Sequence, residues 1–130
     1  FFEEPRHSRF PTVYCGKRKK GAIRKLDEDK KLMFGINYTD GSWIQKQECV
    51  RSSKHNSSLT LSTKGNMINF VAESLNKKPA KITVKLNDRP IKKLSVSNPG
   101  LYRLAKLKIA DEKITIISPK NVAIYSFSFQ

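Results

Sequence analysis

From Lys31 to the C-terminus, apolar positions recur in short stretches of strand length separated by turn residues. Ile82, Val84 and Leu86 alternate with Thr83, Lys85 and Asn87, a period of two that puts the two sets on opposite faces of a strand. Tyr125, Phe127 and Phe129 alternate with Ser126 and Ser128 in the same way, which predicts a core strand at the C-terminus. Strands are expected over residues 32–38, 43–50, 58–62, 66–75, 81–87, 91–96, 100–106, 112–118 and 122–129. The segments between them carry turn formers: Thr39-Asp-Gly41, Lys54-His-Asn-Ser57, Lys64-Gly65, Asn76-Lys-Lys-Pro79, Asp88-Arg-Pro90, Ser97-Asn-Pro-Gly100 and Pro119-Lys-Asn121. Only residues 102–110 offer a weak helical alternative. The pattern predicts an all-β protein, an antiparallel β-sandwich of about eight or nine strands.

The first thirty residues break this rhythm. They are polar and charged, punctuated by Pro5, Pro11, Gly16 and Gly21, and read as an irregular basic arm with at most one short strand or turn. The expected organisation is an arm or linker over residues 1–30 and a sandwich over residues 31–130. At 130 residues the chain is the size of one domain. It opens with Phe1-Phe2-Glu3-Glu4 and shows no signal-peptide apolar stretch, so a further segment upstream is expected. No run of about 18 apolar residues is present to span a membrane as a helix.

Charge adds a second layer. Lys and Arg number 26 against 11 Asp and Glu, a net +15 that attracts nucleic acid, anionic glycan or acidic lipid by its field and would recruit an acidic partner. Residues 1–31 hold ten basic and five acidic side chains, so no detachable basic tail accounts for the excess. Many lysines alternate with apolar positions, as on the solvent faces of strands, where they also guard sheet edges. One run stands out: Lys17, Arg18, Lys19 and Lys20, between Gly16 and Gly21. Adjacent cations release counterions on binding a polyanion, but no aromatic side chains are interleaved with them as in a single-strand binding surface. A solvated loop is the favoured reading and polyanion binding the alternative.

Catalytic parts are scarce. His7 and His55 lie in polar surroundings with no second ligand at metal-binding spacing, so neither a metal site nor a cofactor is expected. No nucleophile elbow, phosphate-binding glycine loop or apolar-flanked carboxylate pair is present. Cys15 and Cys49 are 34 positions apart, which rules out a Cys-x-x-Cys dithiol within the chain. Cys49 reads as a small buried hydrophobe and Cys15 as a loop-edge thiol, and a disulfide between them stays open. Trp43, Tyr14, Tyr38 and Tyr102 are the candidates for a sugar platform, since a pyranose face stacks on an aromatic ring. For Trp43 a core position is the competing reading.

Taken in order, the motifs resemble a known family. They are Phe10-Pro-Thr-Val-Tyr-Cys-Gly16, Asp40-Gly-Ser-Trp43 with Glu48 beyond it, Met67-Ile-Asn-Phe-Val-Ala72, Ile82-Thr-Val-Lys-Leu-Asn-Asp-Arg-Pro-Ile91, Leu101-Tyr-Arg-Leu104, Ile114-Thr-Ile116 and Val122-Ala-Ile-Tyr-Ser-Phe-Ser-Phe129. The series is similar to the C-terminal domain that follows the thioredoxin-like domain in DipZ-type bacterial thiol-disulfide proteins. That domain is a jelly-roll like carbohydrate-binding modules. Pro11, Tyr14 and Gly16 match the segment that leads out of the family's redox domain. The sequence departs from the family at Asn87-Asp88-Arg89, Pro119-Lys120 and Gln130, where a glycine is usual. The resemblance implies a non-catalytic accessory module in an extracytoplasmic protein, periplasmic or secreted. Its partners would be an upstream thioredoxin-like domain in the same polypeptide and a glycan or peptide ligand. It transfers no catalytic or ligand-binding residue.

Overall fold

The computed structural model describes residues 10–109 and 111–130. Twelve strands follow one another: β1 Val13–Tyr14, β2 Ala22–Lys25, β3 Ile36–Asp40, β4 Trp43–Gln45, β5 Val50–Ser52, β6 Ser57–Ser62, β7 Met67–Ser74, β8 Ala80–Leu86, β9 Arg89–Val96, β10 Gly100–Lys106, β11 Lys113–Ser118 and β12 Val122–Phe129. One sheet runs β10-β7-β12-β5-β4, with β1 also on β12; the other runs β2-β3-β6-β11-β8-β9. Pairing is antiparallel throughout except between β2 and β3. The two sheets pack as a β-sandwich, as the alternating pattern predicts.

Alternation decides which side chains fill the gap between sheets. Phe70, Ile68, Ile124, Phe127 and Phe129 enter from the first sheet, and Leu59, Leu61, Ile82, Val84, Ile114 and Ile116 from the second, all fully buried. Aromatic contacts run through this layer, with Phe70 and Phe127 centroids 5.9 Å apart and the Tyr102 ring edge-on to Phe70 at 6.1 Å. Each aliphatic or aromatic group of this size removed from water contributes about 1.5–3 kcal/mol, so the core rests on many moderate terms.

The strand count exceeds the expected nine for identifiable reasons. The stretch 43–50 is two strands, because Lys46 N–H donates to the Cys49 carbonyl at 2.7 Å and closes a hairpin turn between β4 and β5. That turn, Lys46-Gln-Glu-Cys49, holds no Gly, Pro, Asn or Asp, so nothing in its composition announces it. The helical alternative at 102–110 gives way to β10 as far as Lys106, where pairing with β7 supplies every other residue with a buried neighbour. Residue 110 lies outside the described residues.

The described part of the basic arm carries structure. β1 pairs with β12 and β2 with β3, and the intervening Lys17–Lys19 segment is a single 3-10 turn. Two side-chain amides stitch it down. Asn37, with no solvent exposure, donates through Nδ2 to the carbonyls of Tyr14 and Ala22, each at 3.1 Å. Gln45 Nε2 donates to the carbonyls of Cys15 and Gly21 at 3.0 and 2.9 Å. Backbone bonds from Lys17 and Arg18 N–H to the carbonyls of Lys46 and Gln47 join this loop to the β4–β5 turn.

Gly16 is the point of closest approach: a Cβ there would lie 2.4 Å from the Gln47 carbonyl oxygen and 2.6 Å from the Glu48 Cα. Both contacts are backbone and cannot swing aside. Gly16→Ala is therefore expected to lose at least about 1–3 kcal/mol of stability, read as a lowered denaturant midpoint. Gly35→Ala, open to solvent but at positive φ, is expected to lose only about 1 kcal/mol. Equal losses at the two sites would contradict the close-approach argument.

Candidate functional site: the outer face of the first sheet

Register places a polar face on the solvent side of the β10-β7-β12-β5 sheet. Since Phe70, Phe127 and Val13 point inward, the residues between them point out. Arg103, Asn69 and Ser128 form one row, Leu101, Val71, Ser126 and Tyr14 a second, and Glu73, Ala123 and Arg51 a third. The floor is built of small side chains, with Ser128 only 3% and Asn69 only 5% exposed, while Tyr14, Glu73, Arg51 and Tyr125 stand half-exposed around it. A bulge between Ile124 and Ser126 turns Tyr125 to the same side.

Tyr125 Oη donates to Glu73 Oε2 at 3.1 Å. Burial first, then the Glu73 carboxylate, holds the phenol protonated well above its ordinary range, so it remains a neutral donor at any physiological pH. Two polar atoms of this face are buried with no hydrogen-bond partner, Arg51 Nε and Ser128 Oγ. An unsatisfied buried group costs about 1–3 kcal/mol, which makes these two atoms conspicuous.

The cysteines are free thiols. Cys15 follows outward-facing Tyr14 and so points into the core, where its Sγ lies 3.6 Å from Asn37 Oδ1. Cys49 precedes inward-facing Val50 and so points the other way. Their side chains leave the sheet on opposite sides, and the disulfide left open by the sequence would need backbone movement. Burial raises the Cys15 thiol far above its ordinary value and the Cys49 thiol to a lesser degree, helped there by Glu73 and opposed by Arg51 and Lys46. Neither is a ready thiolate, despite the cations beside Cys15 in sequence.

The four aromatic candidates do not converge. Trp43 packs against the core and its indole N–H donates to the Ser58 carbonyl at 2.8 Å and, more weakly, to that of Asp40 at 3.3 Å. Tyr102 turns its ring against Phe70, accepts from Ser97 N–H and donates to the Asn98 carbonyl at 2.6 Å, clamping the β9–β10 connection. Tyr38 faces outward from the second sheet, opposite Thr60, and accepts from Met33 N–H. Only Tyr14 belongs to the polar face. Lys17, Arg18, Lys19 and Lys20 are exposed: Arg18 pairs with Glu48 at 2.5 Å, and Lys19 sits over the Tyr14 ring at 5.7 Å. His55 Nδ1 accepts from Lys120 N–H at 3.4 Å, and His7 lies outside the described residues. Among the described residues no group of three or more His, Cys, Asp or Glu is gathered as a metal site would need. No helix there is long and apolar enough to cross a membrane.

Sequence reasoning missed Arg51, Asn69, Glu73, Ser126 and Ser128. Ser126 and Ser128 were legible as the outward half of the last strand, but one strand cannot show which rows its neighbours bring alongside.

A two-sheet jelly-roll sandwich with a polar outer face is the architecture these observations define. A family model described as the thioredoxin-like C-terminal domain matches residues 14–129, and the chain belongs to that family. Among solved structures it is similar to a family two carbohydrate esterase from Cellvibrio japonicus, at 12% identity and a TM-score of 0.67 over 92% of this chain and 32% of that one. A family two carbohydrate esterase from Clostridium thermocellum in complex with cellohexaose gives 12% identity and 0.64 over 72% and 31%. An acetyl xylan esterase from Butyrivibrio proteoclasticus gives 11% and 0.59 over 81% and 30%. The chain spans about a third of the length of these esterases, and at such identities the likeness is one of fold. No curated protein matches the chain by sequence.

Two outcomes follow from the thiols. A disulfide-exchange reagent should modify Cys49 slowly in the native protein and Cys15 only after denaturant is added, and Cys49→Ala should abolish native labelling. Because the fold keeps Cys15, Cys49 and Tyr125 protonated past their ordinary values of 9.0, 9.0 and 10.0, stability is full below about pH 9 and falls as pH rises beyond it. Thermal scans from about pH 8 to 10.5 should show that decline, with a shallower slope in Cys15→Ala/Cys49→Ala. Identical slopes would mean that the thiols contribute nothing to it.

Proposed function

We propose that the chain is a non-catalytic accessory module, carried behind a thioredoxin-like domain in an extracytoplasmic protein, that binds a neutral glycan chain on the outer face of the β10-β7-β12-β5 sheet. The observation that carries this reading is the pair of buried, unpartnered polar atoms on that face, Arg51 Nε and Ser128 Oγ. They stand at opposite ends of a floor of small side chains, on rows four residues apart along β7, from Glu73 to Asn69, roughly 13 Å at ~3.3 Å per residue. That distance suits an oligosaccharide better than a single sugar. Tyr14 and Tyr125 offer ring faces at the rim, and Asn69, Ser126 and Glu73 offer both donors and acceptors to hydroxyl groups. Membership of the thioredoxin-like C-terminal family supports the upstream domain, and the cellohexaose complex of a fold neighbour makes cellohexaose a reasonable first probe.

Binding of polyanions by residues 17–20 has less support. Arg18 is already paired and Lys19 already rests on an aromatic ring. These exposed contacts are each weak, but they leave the run half-occupied.

Calorimetric titration with cellohexaose and other neutral oligosaccharides tests the reading. Ser128→Ala removes an orphaned hydroxyl, so it should hold or raise the melting temperature while weakening binding about tenfold, the loss of one good hydrogen bond to a ligand. Tyr14→Ala should weaken binding similarly. Failure of every neutral glycan to bind, or binding indifferent to both substitutions, would overturn it.

A further inference from the structure

Between Leu75 and Ile109 the chain carries ten lysine and arginine residues and a single acid, Asp88. These residues build β8, β9 and β10, which the fold gathers on one flank. β9 is the free edge of one sheet and β10 the free edge of the other, and Lys92 Nζ donates to the Arg103 carbonyl at 2.8 Å, closing one edge onto the other. On the outer face of the second sheet Lys81 lies beside Ser95, Lys93 beside Thr83 and Lys85 beside Pro90. Three ammonium stems thus occupy successive rows of one hairpin, with diagonal neighbours roughly 7–8 Å apart.

Among the described residues little that is acidic answers this charge. The Asp88 carboxylate is held by Lys113 at 2.8 Å. Among the described residues no carboxylate pairs with Lys81, Lys85, Lys92, Lys93 or Arg103. Burial first, then repulsion from the Arg103 charge, lowers the Lys92 pKa. Lysines on an edge strand guard against edge pairing, which accounts for Lys92 and Lys93 but not for Lys81 and Lys85 on the inner strand β8.

The flank also exposes aliphatic surface. Ile91, the extra residue of the β9 bulge between Pro90 and Lys92, is 44% exposed. Its one aromatic residue, Tyr102, is turned inward against Phe70. A surface for bases or sugar rings needs aromatic faces, whereas apolar contacts within a charged surround are the anatomy of a protein interface.

We propose that this flank docks an acidic protein partner, whose Asp and Glu carboxylates meet Lys81, Lys85 and Lys93 while an apolar side chain covers Ile91. Fluorescence anisotropy of the 130-residue chain at physiological salt tests it against four probes. These are a short glutamate-rich peptide with interspersed leucines, the same peptide with serine in place of leucine, a heparin fragment and a DNA duplex. The leucine-containing peptide should bind at least about tenfold more tightly than the other three. Lys81→Glu/Lys85→Glu/Lys93→Glu and Ile91→Ser should each weaken it about tenfold or more, with circular dichroism confirming the fold. Lys17→Glu/Lys19→Glu/Lys20→Glu should change it less than about twofold. Equal affinity for the serine peptide, tighter binding of heparin or DNA, loss of binding in the residue 17–20 variant, or no binding of any probe would each overturn the proposal.

Discussion

Strand β12 has three partners, and much of the molecule follows from serving them. Along one edge it pairs with β7; along the other it pairs first with β5, at Ala123 and Ile124, and then with β1, at Ser126 and Phe127. The handover falls at Tyr125, whose carbonyl accepts the Cys15 N–H at 3.0 Å. A central strand needs its backbone groups satisfied on both sides, because unpaired buried amides are costly. The N-terminal segment is therefore a part of the sheet, and the amides of Asn37 and Gln45 fix the loop that brings it there. The same handover coincides with the bulge that rotates Tyr125 outward beside Glu73.

That arrangement divides the chemistry between faces. The inward side of β12 gives Ile124, Phe127 and Phe129 to the core, and the outward side gives Ser126, Ser128 and Tyr125 to the polar face. Cys15 and Cys49 arrive at the same junction but leave on opposite sides, one into a medium too apolar for a thiolate and the other among competing charges. Thiols held protonated are poor nucleophiles for disulfide exchange. The cationic flank lies across the sandwich, on the outer face of the β8–β9 hairpin of the second sheet. The polar face and the flank are thus separate surfaces, able to be occupied together.

Legibility differed by element for physical reasons. The strand at 122–129 was readable to the residue, because its alternation is strong and Pro-Lys-Asn marks its start; the strand at 100–106 was readable in its bounds from the turn before it, although part of it also offered a helix. The turn at Lys46-Gln-Glu-Cys49 was not, since backbone bonds to residues 17 and 18 hold it rather than turn-forming side chains. β1 and β2 were obscured by a cationic run whose charges all point to solvent. Trp43 and Tyr102 were flagged for their ring faces, yet both rings are spent on packing and on clamping nearby carbonyls. Tyr14 was readable as an aromatic and Arg51 as a cation, but no pattern in the chain says that β12 places them on one face.

The sequence by itself determined the class of fold, the inward and outward sets of most strands, the absence of a thioredoxin-type dithiol and the excess of positive charge. All of these follow from local periodicity and composition, which are properties of neighbours along the chain. Only the tertiary structure decided which strands lie side by side. It therefore decided that Arg51, Asn69, Glu73, Tyr125 and Ser128 share a surface, that Cys15 and Cys49 face apart, and that the lysines of β8 and β9 line one outer face. Residues far apart in sequence meet through sheet register, and register is fixed by the joint packing of both sheets rather than by any single strand.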